Sequence, residues 1–467
     1  MDILKLDDWN NFHRENYQSY KDYNSRIDAI AKEVKRKGQN IMNDEELFLS
    51  QEEVTDYIAE FKKDSDHIYG YEQEEFGICP YITFYIYHQD YEVEEAANRI
   101  IDIYEEFESK IIDKLFKLKY RHKTSTWKKA EKWQTTRQEL LDEMHEGYKK
   151  NSVYFIAATT GDSDNQSAQW AFQSNIRDNG LRYSSLKLSF GEKWYKEHKK
   201  QWYQFVQHCL IKLNPIQAYS GYEVGSAAQF PMVSPEFEIV ERIFSDYFYG
   251  LDIDHPSNMS HSHDDIDGFI YTPSLAAGIR TPTWCFLLSP YWLDKLGLSE
   301  EQIRLKLDDP RIEITKLLDP TDPEKFSLWI QLGELSLYPV EEGIPDLLVK
   351  ANELIKPIRC NDLKLTTLDA WDDDSNPRFD VENSPQWIAR FDEDSGWPEG
   401  KRVNKVSNLS LEEEKFKVKG GELCPQTGYW QTPAQPDSRQ YFKQGEIIPV
   451  LTELDWGDVY WYWDGEK

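Results

Sequence analysis

The sequence predicts an α+β fold in three parts: a helical N-terminal region, a central mixed sheet-and-helix domain, and a small β-rich or irregular C-terminal module. Three observations lead there. Apolar residues recur at helical spacing within the first 150 positions, short apolar or alternating runs separate helical segments from Asn151 onward, and turn residues crowd between short aromatic stretches after about Asp369. The expected boundaries are 1–150, 151–368 and 369–467. A chain of 467 residues is long enough for several domains.

In the first part, Val93, Ala97, Ile100, Tyr104, Phe107, Ile111, Leu115 and Leu118 recur at steps of three and four, one face of a long amphipathic helix. Glu94, Glu95 and Glu105 precede Lys110, Lys114, Lys117 and Lys119, an order that suits the helix dipole. Ile78 to Tyr87 is compatible with a buried helix or a strand. In the central part, Val153 to Ala158 reads as a strand, and Leu186, Leu188 and Phe190 alternate with Lys187 and Ser189 as a half-buried strand does. A helix carrying Trp194, Trp202, Phe205 and Cys209 stops at Asn214-Pro215, before a further apolar segment from Ile216 to Val224. Ser234-Pro235-Glu236 opens another helix, with proline at its first position. Strands at Arg311–Leu317 and Phe326–Leu337 and a helix at Ile344–Ile355 complete the domain. In the C-terminal part, Gly420-Gly421 and Asp464-Gly465 mark turns. Trp430, Phe442, Trp456 and Trp461 are expected to bury against the main body, since so short a tail has little core of its own.

Hydrophobic residues at 39% and aromatics at 14% make this a folded chain despite 30% charged residues. The formal net charge of −30 repels phosphate backbones and anionic membranes and attracts basic partners. Between Lys110 and Arg137 ten basic residues meet two acidic ones, with Tyr120, Trp127 and Trp133 interleaved. Alone, that stripe suits nucleic acid; in so acidic a chain it reads as internal counter-charge or a solvated face. No signal-like start or membrane-length apolar run is present, so a cytoplasmic location is expected. The five cysteines lie far apart without a C-x-x-C pair, as reduced thiols do.

The cluster Asp252, Asp254, His255, His261, His263, Asp264, Asp265 and Asp267 has the residue types that bind zinc, manganese or iron and activate a water, which would make a metallohydrolase. The competing reading is a fold segment followed by a polar loop, and no metal is assigned. Nucleophile elbows and phosphate-binding glycine loops are missing from the sequence, so no catalytic residue or cofactor is assigned either.

A set of ordered features fills Tyr183 to Leu365: the strand-helix unit around Ser185 to Leu213, Ala218-Tyr-Ser-Gly-Tyr222, Tyr249-Gly-Leu-Asp-Ile-Asp254, Gly278-Ile-Arg-Thr-Pro-Thr-Trp284, Tyr291-Trp-Leu-Asp-Lys-Leu-Gly297 and Ile355-Lys-Pro-Ile-Arg359. In this order they resemble the type VI secretion immunity family, whose members are encoded beside antibacterial toxins. The end of the chain, Gly421-Glu-Leu-Cys-Pro-Gln-Thr-Gly-Tyr-Trp430 with Tyr441-Phe-Lys-Gln-Gly-Glu446, Trp456-Gly457 and Trp461-Tyr-Trp463, resembles a Trp/Gly-rich module shared by several immunity proteins. The resemblance implies a non-enzymatic inhibitor that binds a cognate toxin domain of a type VI secretion or Rhs-type effector in a 1:1 complex, and the acidity of the chain suits a basic toxin. The alternatives are a metal-dependent enzyme that reverses toxin damage and a non-catalytic scaffold. Asp372, Asp373, Asp374, Glu412, Glu413 and Glu414 are the expected toxin contacts.

Overall fold

The computed structural model describes residues 49–63, 68–71, 74–87, 93–112, 116–121, 127–143, 153–162, 170–177, 183–225, 235–256, 261–263, 271–273, 275, 278–319, 322–363, 365, 376–380, 382–407, 417–432, 438–450 and 460–463. The chain divides into two compact units, Met1–Asn404 and Lys405–Lys467. In the first, the elements run α1 (Gln51–Lys63), β1 (Ile68–Tyr71), β2 (Glu74–Tyr87), α2 (Val93–Glu106), β3 (Leu118–Arg121), β4 (Lys128–Lys129), β5 (Val153–Thr159), β6 (Ala171–Arg177), β7 (Tyr183–Ser189), α3 (Glu192–Leu213) and β8 (Gln217–Val224). They continue as α4 (Pro235–Phe244), β9 (His261–His263), β10 (Tyr271–Pro273), β11 (Cys285–Leu288), α5 (Pro290–Leu296), α6 (Glu300–Lys306), β12 (Ile312–Leu318), β13 (Phe326–Leu332), α7 (Asp346–Ile355) and α8 (Asn383–Ile388).

The main sheet runs in the order β12-β13-β11-β8-β2-β7-β6-β5-β3-β4, with β1 folded back on β2. Every pairing in it is antiparallel. The α+β class expected from sequence is the observed one. The sheet nonetheless joins what the sequence divides at residue 150, because β2 lies in its centre between β7 and β8. Ile78–Tyr87, compatible with helix or strand by periodicity, is therefore strand.

The stripe that opens at Val93 also ends sooner than its spacing predicts. Val93, Ala97, Ile100, Tyr104 and Phe107 are buried, but α2 closes in a single π-helical turn, Phe107–Ile111, and Leu118 already belongs to β3. Phe107 fixes that turn by packing beside Phe205 of α3 and Trp170, each about 6.0 Å away. Helix α3 bends at His198, whose Nδ1–H donates to the Trp194 carbonyl at 2.9 Å and whose ring stacks on that of Trp194. It ends where Asn214 enters the left-handed region at φ 45°.

Strand β7 alternates as expected, yet Tyr183 to Ser189 are buried throughout rather than half-buried. The polar residues of the alternation face other polar residues inside the protein.

The boundary expected at 369 is displaced as well. Phe379, Trp387, Ile388, Phe391 and Trp397 belong to the main core. Asp392 holds this segment by accepting from Arg359 at 2.8 and 3.0 Å and from Asn352 at 2.6 Å.

The second unit contains a four-stranded sheet built from β14 (Lys417–Lys419), β15 (Gly428–Gln431), β16 (Gln440–Phe442) and β17 (Tyr460–Trp463), in the order β14-β17-β15-β16. Val418, Cys424, Trp430, Phe442, Ile448 and Trp461 form a core of its own. The expectation that these tryptophans need the main body is thereby corrected for Trp430 and Trp461: strand alternation sends them to one side, where they bury one another. Trp456 lies outside the described residues.

Candidate functional site

Strand register assembles a polar face at the centre of the main sheet. Tyr81 pairs with Ser189 and Gly221, Thr83 with Lys187 and Tyr219, and Cys79 with Glu223, so Tyr81, Thr83, Tyr85, Lys187, Tyr219 and Glu223 share one side of β7, β2 and β8. Two segments close over it. Residues 249–255 are tied to β8 by the Asp252 amide donating to the Tyr222 carbonyl at 2.7 Å, and Gly250 donates to the Leu337 carbonyl at 2.8 Å. Residues 278–283 are tied to the end of α7 by Ile279 and Cys360, each donating to a carbonyl across the bridge at 2.9 and 2.8 Å. Both segments need glycine for close approach. A Cβ on Gly250 would stand 1.9 Å from the Ser336 carbonyl oxygen, and one on Gly278 2.4 Å from the Cys360 nitrogen.

Arg280 is the hub. It pairs with Asp252 at 2.7 Å and Asp254 at 2.7 Å, and all three are about 1% exposed. Tyr81 donates its hydroxyl to Asp252 and Tyr85 to Asp254. The Arg280 amide donates to the Tyr219 hydroxyl at 3.0 Å, and its guanidinium lies over the Tyr219 ring. Beside it, Lys187 is ion-paired with Glu223 and donates to the Asp254 carbonyl at 2.8 Å. His255 meets Glu241 of α4 at 2.8 Å.

Burial sets the starting point for every ionisation here, and the partners decide the outcome. Burial would raise the Asp254 carboxyl, but Arg280 and Lys187 outweigh it and hold the group below its usual range. For Glu223 burial wins even against Lys187, and the carboxyl rises to about 7. Burial would lower His255, but Glu241 raises it. Burial and the adjacent carboxylates push both tyrosine hydroxyls well above their normal range.

Asp252, Asp254 and His255 are thus committed to Arg280 and Glu241. Among the described residues, no three His, Cys, Asp or Glu side chains are placed to hold a metal ion. His261 and His263 lie on β9, paired with β10; their side chains, and Asp264, Asp265 and Asp267, lie outside the described residues. So do the expected toxin contacts Asp372, Asp373, Asp374, Glu412, Glu413 and Glu414. The five cysteines are buried free thiols. What the cluster can do is clamp: it joins three strands, α4 and two covering segments through charges that solvent does not reach.

The sequence pointed to Asp252, Asp254 and His255 but not to Tyr81, Tyr85, Lys187, Glu223, Glu241 or Arg280. The available signal was that Tyr249–Asp254, Gly278–Trp284 and Ala218–Tyr222 are three of the segments on which the family resemblance rests, and all three converge on this cluster.

The basic stripe has its own partners. Arg137 pairs with Asp102 and with Glu105 at 3.0 Å, and Lys119 with Glu108, while Lys212 of α3, outside the stripe, adds a second cation to Asp102 at 2.8 Å. These are counter-charges for the acidic side of α2. No described helix is long and apolar enough to cross a membrane.

Comparisons with known proteins agree with these convergent segments. Residues 99–391, more than half of the chain, match the family described as Type VI immunity for VRR-NUC. The fold is similar to that of a Pseudomonas aeruginosa T6SS protein, PA0821, with a TM-score of 0.56 and 19% identity, over 76% of this chain and 99% of that one. No curated protein matches the chain.

Proposed function

The chain belongs to the family Type VI immunity for VRR-NUC, and from that premise we propose that it neutralises a cognate VRR-NUC nuclease toxin by direct binding in a 1:1 complex. The family match is the observation that carries this reading. The net charge of −30 supports it: a nuclease that grips a phosphate backbone presents a basic surface, and an acidic inhibitor meets such a surface rapidly and with complementary potential. No turnover is required of an inhibitor that covers the toxin's active site. The central charge cluster then serves as scaffold, keeping the outer surface in a fixed shape. An interface of standard size buries about 1,600 Å², and protection of a producing cell calls for roughly nanomolar affinity. The site of action is the cytoplasm, where a nuclease meets its substrate. The acidic runs Asp372–Asp374 and Glu412–Glu414 remain proposed contacts on grounds of charge.

The test is co-expression with the neighbouring toxin domain, followed by size-exclusion chromatography. Survival with a co-eluting complex is the expected result. Survival without a complex would sink direct binding, and death would sink immunity toward that toxin.

A further inference from the structure

Residues 249–256 cross the polar face of the main sheet as a strap that is fastened in two different ways. Backbone bonds hold its first half: Tyr249 donates to the Tyr338 carbonyl at 2.9 Å, Gly250 to that of Leu337 and Asp252 to that of Tyr222. Side chains hold its second half. Arg280 donates to the Ile253 carbonyl, Lys187 to that of Asp254 at 2.8 Å and Tyr183 to that of Pro256 at 3.0 Å. His255, the one basic residue of the strap, meets Glu241 at 2.8 Å, and both side chains are 4% exposed.

The charges that act on His255 come from two elements. Glu241 and Glu238 face it from α4, one turn apart, and Lys187 faces it from β7. Behind Lys187 stands Glu223 of β8, which also senses Asp254 and Glu241. Glu238, Glu241 and Glu223 are all buried. Histidine is the side chain whose charge changes near neutral pH. Burial works against the imidazolium here, but Glu241 and then Glu238 outweigh it and keep the proton on above the ordinary range near about 6.5. Once that proton leaves, the two glutamates face the strap without its cation, inside the protein. Glu223, with its carboxyl at about 7, gains charge beside Asp254 as pH rises through the same region. Lifting the second half of the strap lets water reach these groups. It breaks no ladder of the sheet, because β7, β2 and β8 pair through their own backbones.

We propose that residues 253–256 form a proton-controlled strap, closed on the sheet while His255 is protonated against Glu241 and released from α4 when that proton is lost. The device belongs to the fold and operates without a toxin, so it is tested on the free full-length chain. Hydrogen exchange of the 252–255 amides, corrected for intrinsic rates and followed by mass spectrometry, should show protection falling at least tenfold between about pH 6 and pH 9. The midpoint should coincide with the His255 titration read from exchange of its imidazole carbon-bound proton. Below about 1 M urea this exchange should stay constant while that of Ile82–Tyr85 in β2 rises, the mark of local rather than global opening. His255→Gln should remove most of the pH step. Glu241→Gln, which keeps the acceptor and removes the charge, should move the midpoint down by about one pH unit or more. Strap exchange that rises with urea in parallel with β2 overturns the proposal, as does a midpoint apart from the His255 titration or a full step in His255→Gln. An unmoved midpoint in Glu241→Gln overturns Glu241 as the controlling partner. Should a variant fail to melt cooperatively, the urea and midpoint comparisons on the wild-type chain decide.

Discussion

Lys187 and Glu223 face each other inside the main sheet, and each is tolerable there only because the other is present. Lys187→Met leaves Glu223 buried without its cation, and a loss of about 3–5 kcal/mol in urea unfolding is expected. Lys187→Met combined with Glu223→Leu should recover most of that loss, because the pair's own desolvation cost disappears with it. The same residues make stability depend on pH. Glu223 rises in the folded state to about 7, and His255 is raised as well, so both hold protons more tightly when folded than unfolded. Their contribution is fully present below the unfolded values and fades as pH rises through the folded ones. Urea midpoints measured from pH 5 to pH 8 should therefore fall less steeply for Glu223→Gln than for wild type; identical slopes would count against this assignment. Asp392 has the opposite sign. Burial notwithstanding, Arg359, Asn352 and Lys356 hold its carboxyl well below the usual range, so its contribution is lost only as acid protonates it, below about pH 4.

Individual elements are fixed by local devices of modest strength. Helix α6 opens with a reciprocal capping box, Ser299 accepting from the Gln302 amide at 3.2 Å and Gln302 accepting from the Ser299 amide at 2.8 Å. Ser299→Ala should cost about 1 kcal/mol, seen as faster amide exchange confined to residues 300–306. The ion pairs between α2 and the basic stripe are partly exposed, and each is worth no more than about 1 kcal/mol. The C-terminal unit depends instead on a few large rings. Trp461→Ala should cost it about 3–5 kcal/mol, and limited proteolysis should then cut after residue 405 while the first unit stays intact. Simultaneous loss of both units would contradict their separate cores.

At the scale of the whole molecule, the charge of −30 governs encounter more than fold. If the toxin is the basic partner proposed above, stopped-flow association should slow markedly between about 50 and 500 mM salt as the Debye length shortens. Dissociation should change little, since packed contacts are not screened. A salt-independent association rate would remove charge steering from the mechanism.

The sequence by itself determined the α+β class, most elements of the central domain and the family, because each rests on local periodicity or on short segments in a fixed order. The helix start at Pro235 and the stop at Asn214-Pro215 are legible since φ restriction acts within a few residues, while the expected cap Ser234 lies outside the described residues. Tertiary structure alone decided that Glu74–Tyr87 is the central strand, that residues 376–402 belong to the main unit, and that the C-terminal tryptophans bury one another. It also decided the fate of the acidic segment near residue 252. An aspartate in sequence carries no mark of whether it will meet a metal, water or an arginine; Arg280 reaches Asp252 and Asp254 only because β8, β11 and the two covering segments fold together. Long-range pairing supplies that information, and no window of neighbouring residues contains it.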